Sequence, residues 1–290
     1  MIDAWAAIRE VIRSDWARPV SEAVWAVNEA LKTRHKETVG AVLFYGSSLR
    51  TGLDEGVLDL YLMVNSYTDF YRGHSLAAWA NRLLPPNVFY FEKDGLAAKY
   101  AVLSEADFHR LNGPETRNVS VWARFAQPSR LVWAADAPAE KRAIDAVSRA
   151  IPTLLGAAMP GARTSTDPLD VWRHAFALTY SAELRAERAG RSGSVVDAEP
   201  DRYRRFTKAG LAAATPQARS WGRRRLEGKL LSVLRLAKAS ATFAGGPDYI
   251  AWKINRHAGT DIVLKPWQRR FPLLAAISLL PRLLRSGAVR

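Results

Sequence analysis

The chain has no cysteine. Disulfide frameworks, thiol nucleophiles and thiolate metal sites are thereby excluded, and a reducing compartment fits. No apolar run approaches the ~20 residues that a membrane-spanning helix needs. Asp3, Arg9 and Glu10 interrupt the first turns, so no secretory leader is expected. Acidic residues are nearly missing from the last third. Arg204 to Arg290 holds 18 Lys+Arg against Glu227, Asp248 and Asp261, a net of +15, whereas the rest carries 24 basic and 25 acidic residues. The formal net charge of +14 therefore resides in that third. Its natural partners are polyanions, either nucleic acid or an anionic membrane surface; a solvated basic face is the plainer alternative. The five histidines show no metal-ligand spacing, and no Ser-His-Asp or Walker-type pattern occurs.

What is present suffices for a core: 48% of the 290 residues are hydrophobic, enough for one large domain or two modest ones. Trp5, Ile8, Val11 and Ile12, then Val20, Val24, Val27 and Leu31, recur at helical spacing and predict two helices. Val39–Phe44 and Val57–Val64 read as strands, and a helix is expected over 67–84, closed by Pro85-Pro86. "NVFYFE" and "AAKYAVLS" read as strands around a Lys93–Gly95 turn, Ser104 caps a short helix with Asp107 three residues on, and "SRLVWA" is one more strand. After Asp136 the pattern turns helical, roughly over 137–157, 168–190, 200–213, 217–243 and 247–258, with Arg188–Pro200 expected as a loop. The organisation is α/β first, over 1–136, then mostly helical over 137–265, with 266–290 as a basic amphipathic segment.

One stretch concentrates the chemistry. In "FYGSSLRTGLDEGVLDLYLMV", Phe44 to Val64, a Gly-Ser-Ser step follows one strand, and Asp59 stands inside the next apolar strand. An ionised carboxylate is costly there unless something compensates it. A glycine after a strand lets a ligand approach the backbone. Ser47, Ser48 and the N–H groups beside them suit a phosphate, and a carboxylate on the next strand can hold magnesium against the same phosphates. The rival reading is a tight turn and a hydrogen-bonded structural aspartate.

Gly-Ser followed about a dozen residues later by an Asp in an apolar strand resembles the DNA polymerase beta-like nucleotidyltransferase superfamily. The second carboxylate usual two residues on is Tyr61 here. Within that superfamily the chain looks like the mitochondrial translocator-assembly-and-maintenance family of phosphatidate cytidylyltransferases, which likewise carries a single Asp in an "LDL" strand. "KYAVLSEADFHRL" (Lys99–Leu111), "SVWARFAQPSRLVW" (Ser120–Trp133) and, more loosely, "FALTYSAELRAE" (Phe176–Glu187) are similar to family segments in the same order. Two departures stand out. Ser48 replaces the third residue of the usual Gly-Ser-Gly, and no Gln lies between Ser48 and Asp59.

The resemblance implies an α/β nucleotidyltransferase domain, a mixed sheet with flanking helices, followed by a mostly helical domain and an amphipathic C-terminal helix. It implies magnesium-dependent transfer of a cytidylyl group from CTP to phosphatidic acid, giving CDP-diacylglycerol and pyrophosphate. On that reading Gly46, Ser47, Ser48 and Arg124 bind nucleotide, Asp59 holds the metal, and Lys99 meets a phosphate. Glu92 is a candidate replacement carboxylate and Tyr180 a further ligand contact. Outward-facing, salt-bridged or solvated roles are the alternatives for Lys99, Arg124 and Glu92.

"WQRRFPLLAAISLLPRLLRSGAVR", Trp267 to Arg290, has Leu273, Ile277, Leu280 and Leu284 on one helical face and Arg282 and Arg285 on another. Such a segment can lie in the headgroup plane of an anionic membrane, helped by "GRRRLEGKLLSVLRLAK", Gly222–Lys238. The expected location is therefore cytoplasmic and peripheral, on the inner membrane face, or on the matrix side in a mitochondrion. Two other readings stand beside it: a nucleotidyltransferase acting on RNA or a small alcohol, and a non-enzymatic lipid- or nucleic-acid-binding protein with a decayed site. Nucleic acid is not the expected partner, because the tail carries leucines where stacking aromatics would serve single strands.

Overall fold

The computed structural model describes residues 3–52, 57–160, 166–182, 191–242, 255, 263–270 and 278. Two helices, α1 (Ala4–Trp16) and α2 (Glu22–His35), precede β1 (Val39–Tyr45), the short α3 (Ser47–Thr51) and β2 (Val57–Val64). Then come α4 (Tyr67–Phe70), α5 (Ser75–Leu83), β3 (Asn87–Lys93), β4 (Leu96–Ser104), α6 (Glu105–Asn112), α7 (Ser120–Phe125) and β5 (Ser129–Ala134). The remainder is helical: α8 (Ala137–Ala158), α9 (Asp170–Ala182), α10 (Arg191–Ala198), α11 (Pro200–Ala213), α12 (Trp221–Thr242) and α13 (Pro266–Arg270).

The five strands form one mixed sheet in the order β3-β4-β2-β1-β5, with β2 and β4 parallel and the other pairs antiparallel. β1 and β2 are apolar almost throughout because both sheet faces are covered. Val42, Leu60, Leu62 and Val102 pack against α2, α4 and α5 on one face. Leu43, Tyr61, Met63 and Leu103 point to the other, where they share a core with Ile8 of α1, Trp122 of α7, Ile151 of α8, Phe176 of α9 and Phe206 of α11. Residues on either side of Asp136 are thus packed into a common interior.

Two elements differ from the sequence expectation. The helix expected over 67–84 is divided by a turn, in which the Tyr71 N–H donates to Tyr67 O and the His74 N–H to Tyr71 O. Arg191–Ala198, expected within a loop, is helical: Val195 and Val196 are fully buried, and their burial outweighs the Ser and Gly around them. The expected helix over 247–258, the C-terminal part of 168–190 and most of the Trp267–Arg290 segment lie outside the described residues.

Two buried networks fix the parts that flank the sheet's end. Arg202 of α11 donates through Nε to Asp15 Oδ2 of α1 (2.6 Å), through Nη1 to Ala126 O (3.0 Å) and through Nη2 to Gln127 O (3.3 Å). Asn81 of α5 and Asn87 of β3 both donate to the Tyr71 hydroxyl, and the Asn87 N–H donates to Asn81 Oδ1 (2.6 Å). This second network holds the Pro85-Pro86 turn against β4, where Val102 O accepts from Asn81 at 3.0 Å.

His35 closes α2 against the same layer. Its ring stacks on Phe70 at 4.4 Å, and its Nε2 lies 3.1 Å from the Tyr100 hydroxyl. Burial first, and Arg34 second, lower its pKa from 6.5 to about 4. The unfolded chain therefore takes up this proton before the folded one, and stability falls as pH drops from about 6.5 to about 4. His35→Phe is expected to remove that component of the pH dependence. The urea midpoint at pH 7 and at pH 5 measures it, and an unchanged difference between the two would refute it.

Candidate functional site

The register of the sheet assembles the site. Tyr45 of β1 pairs with Asp59 of β2, Asp59 with Lys99 of β4, and Lys99 with Tyr90 of β3. Directly paired residues share a face, so these four stand in one row. The row lies one step beyond the buried row Leu43–Tyr61–Ala101. That places Asp59 where the core ends: the same-face residues Tyr61 and Met63 are buried, and Asp59 is half-buried at the rim. The desolvation cost that the apolar strand suggests is accordingly reduced.

Gly46 is shaped by the carboxylate. Its backbone is at φ 99°, ψ −161°, a region essentially restricted to glycine. A Cβ added there would meet Asp59 Oδ2 at 2.8 Å and Asp59 Cβ at 3.2 Å. The chain after β1 therefore passes directly against the Asp59 side chain before entering α3.

Asp59 and Lys99 open into a cleft of about 230 Å³. Its wall includes Tyr45 and Tyr61 from the sheet, Pro86 and Val88 from the turn into β3, Ser120 and Arg124 from α7, and Arg235 and Lys238 from α12. Among the described residues of that lining Asp59 is the one carboxylate, against the cationic side chains Lys99, Arg124, Arg235 and Lys238. Such a surplus of positive charge in a concave, half-desolvated place favours anions, phosphates above all.

The α7 and α12 groups are held by backbone oxygens and a hydroxyl. Arg124 Nη1 donates to Ser120 O at 2.5 Å. Arg235 donates through Nε to Pro85 O (3.1 Å) and through Nη1 to Ser120 Oγ (3.0 Å). Lys238 Nζ donates to Pro86 O (2.9 Å) and to Leu84 O. Burial, then Arg235, bring the Lys238 ammonium down from 10.5 to about 7.

α12 reaches the cleft because its inner face is made for close packing. Trp221, Arg224 and Gly228 are buried on it, and Arg235 and Lys238 continue the same three-, four- and seven-residue spacing. A Cβ on Gly228 would meet Ala182 O of α9 at 2.1 Å, so only glycine admits this approach of the two helices. Arg224 lies 6.0 Å from the Trp122 ring of α7 and 5.6 Å from the Trp221 ring, and donates to Gln217 Oε1 at 2.5 Å. The outer face of the same helix exposes Leu226 (73%), Leu230 and Leu234 in one line, with Arg223, Arg225 and Lys229 beside them. Across the turn, α5 and β3 expose Leu76, Trp79 (62%), Leu83 and Val88.

Of the residues singled out from sequence, Gly46, Asp59, Lys99 and Arg124 meet in this region. Ser47 and Ser48 follow in α3, exposed and half-buried respectively, and are outside the cleft lining. Glu92 is on the same sheet face as Asp59, one row further on; it is exposed, accepts from the Tyr90 hydroxyl at 2.8 Å, and does not line the cleft. Tyr180 packs at the edge of the helical core and is not among the described residues of the cleft lining. Arg235 and Lys238 were not singled out. Their spacing from Trp221, Arg224 and Gly228 is the signal that places them inward.

Among the described residues, no group of three His, Asp or Glu side chains is placed to share an ion. No acidic side chain stands two residues on from Asp59, where a second carboxylate would share its strand face. That position is Tyr61, 2% exposed, with ring centroids 5.2 Å from Tyr45 and 5.0 Å from Phe125. Magnesium that arrives on a nucleotide needs one or two carboxylates besides phosphate and water ligands, and Asp59 meets that lesser requirement.

No family model matches the chain, and no curated protein matches it. Among solved structures it is similar to a nucleotidyltransferase-like protein from Exiguobacterium sibiricum, at 11% sequence identity and a TM-score of 0.28, with 92% of this chain and 91% of that chain covered. A TM-score that low leaves the reading of the cleft to its own geometry.

Proposed function

We propose that the cleft transfers a cytidylyl group from CTP to phosphatidic acid at an anionic membrane surface, releasing pyrophosphate. One observation carries the nucleotidyl-transfer part: Gly46 pressed against Asp59, with Lys99 in register beside it, at the mouth of a cleft lined by three further cations. The nucleotide and the acceptor follow from the sequence resemblance over residues 40–190. Magnesium bound with the triphosphate, with Asp59 as its protein ligand, would neutralise phosphate charge.

In the reaction, an oxygen of the acceptor phosphate attacks the α-phosphorus of CTP. The new O–P bond forms as the bond to the bridging oxygen breaks, and pyrophosphate leaves with the electron pair. Negative charge grows on the bridging oxygen, so fixed cations supply most of the stabilisation. Lys99 and Arg124, next to Asp59 in the lining, fill that role. A phosphate nucleophile is already ionised and needs no general base. A single carboxylate is consistent with such an acceptor, whereas an alcohol requires a proton to be removed.

The membrane part is supported by the +15 charge of the last third and by the exposed leucine line of α12 with its flanking bases. No helix among the described residues is long and apolar enough to cross a membrane. Replacing Leu226, Leu230 and Leu234 together by Ser is expected to lower pelleting with anionic vesicles on the order of tenfold; undiminished pelleting would remove α12 from the membrane surface.

The activity itself is tested with α-labelled CTP, magnesium and phosphatidate in vesicles. Labelled CDP-diacylglycerol is expected. Equal use of ATP or UTP, or label appearing only in RNA or a small alcohol, would overturn the assignment.

A further inference from the structure

We infer that Arg235 and Lys238 of α12 form the acceptor site, binding the phosphomonoester of an amphiphile whose apolar part runs out along the leucine line of the same helix. The inference deepens the proposed function and rests on it for the acceptor's role, while the anion site itself stands on separate observations.

The first observation is position. Gly46 lies against Asp59 from the β1–α3 side and is not in the cleft lining, whereas Arg235 and Lys238 line it from α12. The turn that the resemblance assigns to the nucleotide phosphates and the α12 cations thus belong to different parts of the fold, as a displacement between two phosphates requires. The second is how the cations are held. Arg235 and Lys238 donate to the carbonyl oxygens of Leu84, Pro85 and Pro86 and to the Ser120 hydroxyl. These oxygens tether the two side chains where both line the cleft. A lysine brought down to about 7 by burial gains most from an anionic partner.

The third observation is what surrounds them. Leu234, half-exposed, immediately precedes Arg235, and Leu230 and Leu226 extend the line outward. Leu83 and Val88 are exposed on the other side of the Pro85-Pro86 turn, and Val88 also lines the cleft. A charged pocket with exposed apolar side chains on both flanks matches a molecule with a phosphate head and an apolar tail. A free sugar phosphate or an RNA end has no use for the leucines.

The test uses the full chain and two probes, sn-glycerol 3-phosphate and a short-chain phosphatidate below its micelle concentration, titrated with and without CTP. In the wild-type protein the short-chain phosphatidate should bind at least tenfold more tightly than glycerol 3-phosphate, and CTP should displace neither. Arg235→Met and Lys238→Met should each weaken glycerol 3-phosphate binding at least tenfold, with melting temperature as the check on folding. Lys238→Arg should stay within threefold of wild type, and Asp59→Asn should bind both probes at least as tightly as wild type does. Competitive displacement by CTP would mean that the two cations hold the nucleotide, and would overturn the inference. So would equal affinity for the two probes, or full binding by both Met variants. If the probes bind and the Met variants lose them, yet CTP is not turned over, the anion site is upheld and the proposed activity fails. If phosphatidate is converted while the Met variants bind normally, the activity is upheld and this site fails.

Discussion

Asp59→Asn is expected to lower CTP turnover by on the order of 10³-fold while the protein keeps its fold and its anion binding. The substitution preserves size and leaves Gly46 its narrow space, since the amide reaches no further than the carboxylate whose Oδ2 lies 2.8 Å from the glycine's would-be Cβ. What disappears is a negative charge in a lining whose other charged residues, among those described, are Lys99, Arg124, Arg235 and Lys238. Phosphate binding alone should survive or tighten, because the cleft becomes more positive. Loss of turnover with retained binding would separate a catalytic role from a structural one. A variant that turns over CTP at the wild-type rate would return Asp59 to the role of a packed aspartate, and the functional proposal would fall with it.

Arg202→Met is expected to destabilise the protein by about 3–5 kcal/mol, a large share of the ~5–15 kcal/mol typical of a folded protein. Both partners of the Arg202–Asp15 pair are buried, with side-chain exposures of 4% and 8%. Removing the guanidinium leaves the Asp15 carboxylate without its cation and deprives Ala126 O and Gln127 O of their donor. Asp15→Leu combined with Arg202→Met should recover much of the loss, because an apolar pair of similar volume carries no desolvation penalty. Chemical denaturation of the two singles and the double gives the coupling. A single-variant cost below about 1 kcal/mol would show that the pair is far more hydrated than its burial implies. The effect reaches the cleft, since Ala126 and Gln127 directly follow the helix that carries Arg124.

The strands were legible because their sequence reports burial directly. Val39–Phe44 is apolar on both faces and lies inside the sheet, and Asp59 stood out because a charge broke an otherwise oily run. The Ser104 cap was legible for a local reason: its hydroxyl accepts from the Asp107 N–H at 3.1 Å, as the spacing suggests. The turn that divides 67–84 was hidden, because Tyr67, Phe70 and Tyr71 before the break and Ala77, Ala78 and Asn81 after it keep one helical spacing. The helix at Arg191–Ala198 was hidden by its Ser and Gly, when Val195 and Val196 decide the matter through contacts with distant residues. The wall of the cleft was the largest omission. Reading "GRRRLEGKLLSVLRLAK" as a whole, as an aid to membrane contact, singled out none of its bases. Indexing it to Trp221, Arg224 and Gly228 turns Arg235 and Lys238 inward and leaves Leu226, Leu230 and Leu234 outside.

The seating of α12 on α9 through Gly228 has a bearing on how the protein comes into being. The strand with Asp59 leaves the ribosome early, and the two cations opposite it only after most of the chain has been made. A growing polypeptide can complete its sheet and still possess half a binding cavity. On the proposed function, chemical competence arrives as a late event, when α12, the last long helix among the described residues, finds its groove, and a product that stops short of it is expected to be inert however well its first half is folded.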